Sequence, residues 1–309
     1  MGAHCCRIEP MIDPSSKKII CLKEMNKRYF IQIFNCNSET SNEVEINPNL
    51  FTLKYLSQIS LDNILYLIGE ELHKTSELEC PVSSFIVINS VSSPITIKFE
   101  LPPKTSHKNP SLCFNNKEEL YVIGGYGTKS CEMFNIKNKV WTELPDLPNE
   151  RYGCNIVALN SRSIILYGGI DSSNPNNLTN TVLLYNRETN TGWEPLLISS
   201  DDRDNYFLNK HFCGVTMYKN SIWIIGGINN LTNKKTDEIL TINCDNPEKI
   251  EQSGINLFSK AQFPTIFSSC FNNNLLYLYD EEDFKIHKID INHSNSEKID
   301  FYRSKDIEE

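Results

Sequence analysis

The sequence predicts an all-β chain built from six repeated strand-rich units, and three observations predict it. A short apolar run ends in a glycine doublet three times: ELYVIGG, SIILYGG and SIWIIGG, closing on Gly124-Gly125, Gly168-Gly169 and Gly226-Gly227. Six of the 13 glycines fall in these doublets, so their placement is not random. Weaker copies extend the series to positions 21, 69, 125, 169, 227 and 279, with steps of 44 to 58 residues, a spacing typical of repeat architectures. The third observation is the absence of helical spacing: short apolar runs alternate with turn residues, which is the strand pattern.

Taken in order, KIICLKE at 18–24 opens the first unit as its second strand and leaves only residues 5–12 ahead of it for an inner strand. NILYLIGEE at 63–71 marks the second unit and keeps one glycine, Gly69, read as the second of the doublet. The third unit is the clearest. PSLCFNN reads as a first strand, ELYVIGG as a second, and SCEMFNIKNKVWTELPDLP as a third strand, an Asn/Lys turn, a fourth strand bearing Trp141, and a Pro-rich exit. The fourth unit repeats this as CNIVALN, SIILYGG and TVLLYNRETNTGWEPL, with Trp193 in the Trp141 place. The fifth has SIWIIGG but Ile250 where the Trp would stand. The sixth has NLLYLYDEE, with Tyr279 and Asp280 in the doublet position, and ends in the strand EKIDFYRS. The 36 Asn residues fill the stretches between, where Asn suits turns.

A four-stranded sheet cannot bury both faces alone, so such sheets stack around an axis as the blades of a β-propeller. Glycine at a strand end allows positive φ and close approach of a neighbouring backbone. Trp141 and Trp193 would wedge between blades, with Phe134 and Tyr185 in the same layer. In the doublets, the aromatic that follows and the Trp one hairpin later, the chain resembles the kelch repeat family, most clearly over 107–240. Arg151 also matches the basic residue that often starts a kelch repeat. The resemblance implies a six-bladed β-propeller of four-stranded kelch-type blades, with Gly124, Gly125, Trp141, Gly168, Gly169, Trp193, Gly226 and Gly227 as structural residues. We divide the chain into a lead-in at 1–16, the propeller at 17–303 and a charged tail at 304–309. The six units leave no stretch for a BTB-like or F-box-like segment.

Composition narrows the function. A hydrophobic share of 39% gives material for a core, and a net charge of −9 argues against a general nucleic-acid binder. No apolar run reaches the roughly 20 residues of a transmembrane helix, and MGAHCCRIEP has no signal-peptide core, which places the chain in the cytoplasm. The 11 cysteines include no CxxC pair and read as small buried hydrophobes rather than as metal ligands or disulfides. Cys154 and Cys213 share one first-strand position, and Cys113 and Cys270 another. GxSxG, GxxxxGK[ST] and HExxH are all absent. His107 and His211 precede first strands and read as loop histidines. No cofactor or metal is expected.

The resemblance implies a non-enzymatic interaction module that binds a partner protein or peptide through loops on one face. Those loops are 126–130, 148–152, 170–180, 199–211 and 228–237, with Tyr126, Arg151, Asp171, Tyr206, His211 and Asn229 as candidate contacts. The acidic runs 201–204 and 280–283 read as solvated loop charge, with an acidic rim for a basic partner as the alternative. A propeller enzyme with a site at the channel mouth, of sugar-processing or oxidase type, is the other function class. The N-terminus adds a modification reading. Gly2 after the initiator Met suits N-myristoylation, although Cys6 stands where Ser or Thr is usual. Cys5 and Cys6 suit S-palmitoylation as the second anchor that a single acyl chain needs. That would present the propeller at the cytoplasmic face of a membrane.

Overall fold

The computed structural model describes residues 18–300 apart from 26–27, 47–52, 75–78, 91–93, 117, 175–181, 197–208, 262–268, 273, 281–284 and 294. The lead-in with Gly2, Cys5 and Cys6, and the tail, lie outside the described residues. The described elements are all strands, and they form a six-bladed β-propeller of small antiparallel sheets. Blade 1 contains Lys18–Met25, Arg28–Asn35 and Thr40–Ile46. Blade 2 contains Leu53–Leu61, Ile64–Lys74, Glu79–Asn89 and Thr96–Glu100. Blade 3 contains Ser111–Asn116, Glu119–Ile123, Cys131–Asn135 and Val140–Leu144. Blade 4 contains Asn155–Asn160, Ser163–Tyr167, Val182–Asn186 and Trp193–Leu196. Blade 5 contains Gly214–Tyr218, Ser221–Ile225, Lys234–Asn243 and Asn246–Ala261. Blade 6 contains Ser269–Asn272, Leu275–Asp280, Lys285–Asp290 and Asn295–Asp300. In blades 2 to 6 these four run from the inner to the outer strand.

The core lies between blades rather than within one. Ile164, Leu166, Leu183 and Tyr185 of blade 4 meet Tyr121, Ile123, Cys131 and Met133 of blade 3. Val215, Ile222, Ile224 and Leu240 of blade 5 meet Val157, Ile165 and Tyr167 of blade 4. Second strands such as Glu119–Ile123 and Ser163–Tyr167 are therefore buried along their whole length and read as largely apolar runs. Outer strands such as Val140–Leu144 are exposed or half-buried throughout.

The tryptophans occupy the wedge. Trp141 packs on Phe134 of its own blade at 5.0 Å and on Phe85 of blade 2 at 5.5 Å, and its indole N–H donates to the Leu101 carbonyl. Trp193 packs on Tyr185 at 5.4 Å and donates to the Pro145 carbonyl. Both carbonyls belong to the residue just after the preceding blade's outer strand. Ile250 stands opposite Ile242 as Trp141 stands opposite Phe134 and Trp193 opposite Tyr185.

The asparagine-rich turns have one construction. At the third-to-outer turn the side-chain oxygen of Asn35, Asn135, Asn186, Asn243 or Asp290 accepts from a backbone N–H two or three residues on. Such a side chain replaces a turn's own backbone bond, so Asn recurs where the repeat recurs. The ladder also corrects the alignment. Ser57 pairs with Ile68 as Ser111 pairs with Ile123, which puts Gly69 in the first-glycine place and not the second. In blade 6, Leu275 pairs with Asp290 and Tyr279 with Ile286, as Glu119 does with Asn135 and Ile123 with Cys131. Asp280 therefore takes the first-glycine place, and Tyr279 precedes it.

Candidate functional site: the loop-face mouth

The glycine doublets build the floor of one face. Gly125 N–H donates to the Arg151 carbonyl at 2.8 Å, and Gly169 N–H to the Lys210 carbonyl at 3.0 Å, so these two doublets are bonded to the next blade. Gly124 and Gly168 have φ of 60° and 66°, and a Cβ on either would run into those same carbonyls. This is the close approach and positive φ that only glycine accommodates without strain.

The residue four positions before each inner strand is a buried base: His107, Arg151 and Lys210 in blades 3, 4 and 5. Each reaches the first glycine's carbonyl of its own blade. His107 Nδ1 lies 2.7 Å from the Gly124 oxygen, and Arg151 donates to the Gly168 oxygen at 3.4 Å. Lys210 donates to Thr236 Oγ1, which donates to the Gly226 oxygen at 3.0 Å. Burial lowers the Arg151 pKa, with Cys154 and Asp171 opposing it. Lys210 also pairs with Glu238 at 2.6 Å. His107 Nε2 lies 3.2 Å from Glu132. Burial pulls the Glu132 carboxyl upward, but bonds from His107 and from the Thr105 and Lys104 N–H groups outweigh it and hold the pKa below its ordinary value.

Two positions further on, the chain turns left-handed in every blade where it is described there: Tyr55, Asn109, Gly153 and Phe212 have φ between 50° and 64°. Asn109 N–H donates to the Tyr55 carbonyl and Phe212 N–H to the Gly153 carbonyl, linking neighbouring blades around the mouth. Two of these residues are bulky aromatics, for which the left-handed region is strained. Gly153 makes room for one of them, since an added Cβ would lie 2.6 Å from the Phe212 ring. The result is an aromatic run across three blades. Tyr126 meets Tyr152 at 5.3 Å, Tyr152 meets Phe212 at 6.3 Å, and Phe212 meets His211 at 4.8 Å. Lys108 lies over the exposed Tyr55 ring and 3.6 Å from Glu70.

Of the contacts expected from sequence, Tyr126 is on the surface at 55% exposure, and Arg151, Asp171, His211 and Asn229 are buried. Asp171 and Asn229 are equivalent, each two residues after its doublet. Each turns an oxygen onto the N–H groups two and three residues on, so they shape the loops from within. His211 Nδ1 bonds to the Asn230 amide oxygen, and burial lowers its pKa against that bond. Tyr206, the acidic run 201–204 and residues 281–283 lie outside the described residues, while Asp280 is buried against His287 at 3.0 Å. Sequence reasoning missed Tyr152 and Phe212. For Phe212 the available signal was an aromatic two residues after Lys210, at the place where the neighbouring repeat has Gly153.

The cysteines sit beneath the doublets. Cys154 lies against Gly169, and Cys213 against Gly227. Burial pushes the Cys131 and Cys213 thiols up to about 12 and raises those of Cys113 and Cys154. Among the described residues, no three His, Cys, Asp or Glu side chains are grouped to hold a metal ion.

The Kelch motif family matches residues 115–148, which run from the end of one inner strand through the doublet to the exit of blade 3. An F-box/kelch-repeat protein of Arabidopsis thaliana is 29% identical over 116 residues, covering 36% of this chain. The match spans 33% of that relative's length. With doublets and buried bases in blades 3 to 5 and indole wedges in blades 3 and 4, the chain is a six-bladed β-propeller that is similar to kelch-repeat proteins, most plainly in blade 3.

Proposed function

We propose that the chain is a non-enzymatic protein-interaction module whose loop face receives a partner protein or peptide. Kelch-repeat proteins are generally interaction modules rather than enzymes, and the supporting observation here is the aromatic run Tyr126–Tyr152–Phe212. It crosses three blades on loops fixed from below by buried bases and glycines. Rigid aromatics contribute large contact area with little ordering cost, which is why they serve as interface anchors. Buried Arg151, Asp171 and Asn229 act in this reading by holding the loops in place. The test is affinity capture with wild type, Tyr126→Ala, Tyr152→Ala and an opposite-face control, Arg162→Ala. A specific partner should be weakened about tenfold or more by the tyrosine changes and retained by the control. Retention by both tyrosine variants contradicts the reading.

The membrane reading is separate. Gly2 with Cys5 and Cys6 would carry the propeller to a cytoplasmic membrane face by dual acylation. No helix among the described residues is long and apolar enough to cross a membrane. In membrane fractionation, Gly2→Ala and a Cys5→Ser/Cys6→Ser double variant should release the protein. A wild type already wholly in the supernatant contradicts this.

A further inference from the structure

The mouth keeps its positive charges inside. His107, Arg151 and Lys210 are buried, and all three reach inward to the first-glycine carbonyls, Lys210 through Thr236. Lys108 and Lys129, on the segments that hold Tyr126, lie against Glu70 at 3.6 Å and Asp146 at 3.4 Å. The surface offers a pair of tyrosines instead. The Tyr126 and Tyr152 ring planes stand at 70° with centroids 5.3 Å apart, and Tyr152 meets Phe212 at 61°. Two rings set near a right angle form a corner, and each ring face carries negative charge density. The same mouth already holds a cation on an aromatic face, with Lys108 Nζ 5.6 Å from the centre of the Tyr55 ring.

A carboxylate stands beside the corner. Arg151–Tyr152 pairs with Ile170–Asp171, and the Ser172 N–H continues that ladder to the Glu150 carbonyl. Residues two apart on a strand share a face, so Glu150 lies on the Tyr152 side and the buried Arg151 on the other. The Ser172 hydroxyl donates to Glu150 Oε2 at 2.9 Å and accepts at 3.1 Å from the N–H of Gly127, the residue after Tyr126. One serine thus ties the carboxylate to the loops of both tyrosines. It occupies one of the roughly four lone-pair sites that a carboxylate has.

Taking the loop face as the binding face, we propose that this corner seats an arginine side chain from a basic segment of the partner, stacked on Tyr126 and Tyr152 and bonded to Glu150. A guanidinium is planar, stacks on aromatic faces and donates to carboxylates in one pose. The net charge of −9 favours the approach of such a segment.

Fluorescence anisotropy of the full chain with a labelled decapeptide of alternating glycine and arginine, at about 0.15 M salt, tests this. Tyr126→Ala, Tyr152→Ala and Glu150→Gln should each weaken binding at least about threefold. Glu150→Gln keeps an acceptor for Ser172, so the loops stay tied. Asp245→Asn, at a turn on the opposite face, removes the same charge and should leave binding unchanged. Equal losses in Glu150→Gln and Asp245→Asn mean that net charge alone holds the peptide, and overturn the proposal. Tighter binding of the glycine–glutamate counterpart, or no binding of the arginine peptide, overturns it as well. If a captured partner is still weakened by Tyr152→Ala in that case, the loop face binds and only the cationic assignment falls.

Discussion

At the scale of single residues, the repeat is a set of contacts that one side chain each can spoil. Gly168 combines φ of 66° with a Cβ direction aimed at the Lys210 carbonyl, so Gly168→Val should lose about 3 kcal/mol in urea unfolding. Gly192 also has positive φ but nothing within 4 Å of an added Cβ, and Gly192→Ala should lose only about 1 kcal/mol. Equal losses would mean that backbone strain, rather than the approach of blade 5, sets the need for glycine. The buried thiols give a second expectation. With pKa values raised by desolvation, Cys113, Cys131, Cys154 and Cys213 should resist alkylation at pH 8 until the chain unfolds. Labelling of these four in native protein, read by peptide mass mapping, would contradict their placement.

At the scale of the element, blades 3 and 4 are each tied to the preceding blade by an indole and to the next by a glycine doublet, while a buried base braces the doublet from within the blade. Trp193→Ala removes both a wedge and the donor to the Pro145 carbonyl, and should lose about 3–5 kcal/mol by denaturant titration. Ile250 keeps the same place in blade 5 with half the side chain, so Ile250→Ala should lose less, about 2–4 kcal/mol. The His107–Glu132 contact gives a pH signature. The folded pKa of Glu132 lies below its ordinary value of 4.5, so its stabilisation is fully present above that value. It is lost as pH falls through the lower folded value. Melting curves from pH 7 to 3 should show a steeper acid decline in wild type than in Glu132→Gln. Parallel declines would remove Glu132 from the account.

The element scale also shows what the sequence could reveal. The doublets and tryptophans were legible because each is a rare residue type recurring at a fixed place in the repeat. Gly69 and Asp280 were misplaced by one because blades 2 and 6 lack a full doublet, and only strand pairing fixes their register. The candidate contacts were harder to read. Arg151, Asp171 and Asn229 are polar loop residues by sequence, yet their polar atoms turn inward onto loop backbone. Spacing alone does not distinguish a polar group that satisfies the fold from one that faces a partner. Phe212 was passed over because its left-handed backbone, which lifts the ring onto the mouth beside Tyr152, is signalled only indirectly, by Gly153 at the same place in the neighbouring repeat.

At the scale of the whole molecule, six sheets around an axis gather every second-to-third and outer-to-inner loop on one face and the remaining turns on the other. The first face carries the aromatic run over bonded glycines and buried bases. The other carries the Asx turns at Asn35, Asn135, Asn186, Asn243 and Asp290, whose side chains are spent on their own backbone. The two faces are thus chemically unlike, and the proposed partner binding belongs to the first. Hydrogen exchange of the chain, free and in complex with a captured partner, measures this directly. The account predicts new protection at 124–130, 147–153, 209–213 and 228–236. Protection confined to the turns at 136–139, 187–192 and 244–246 would contradict it.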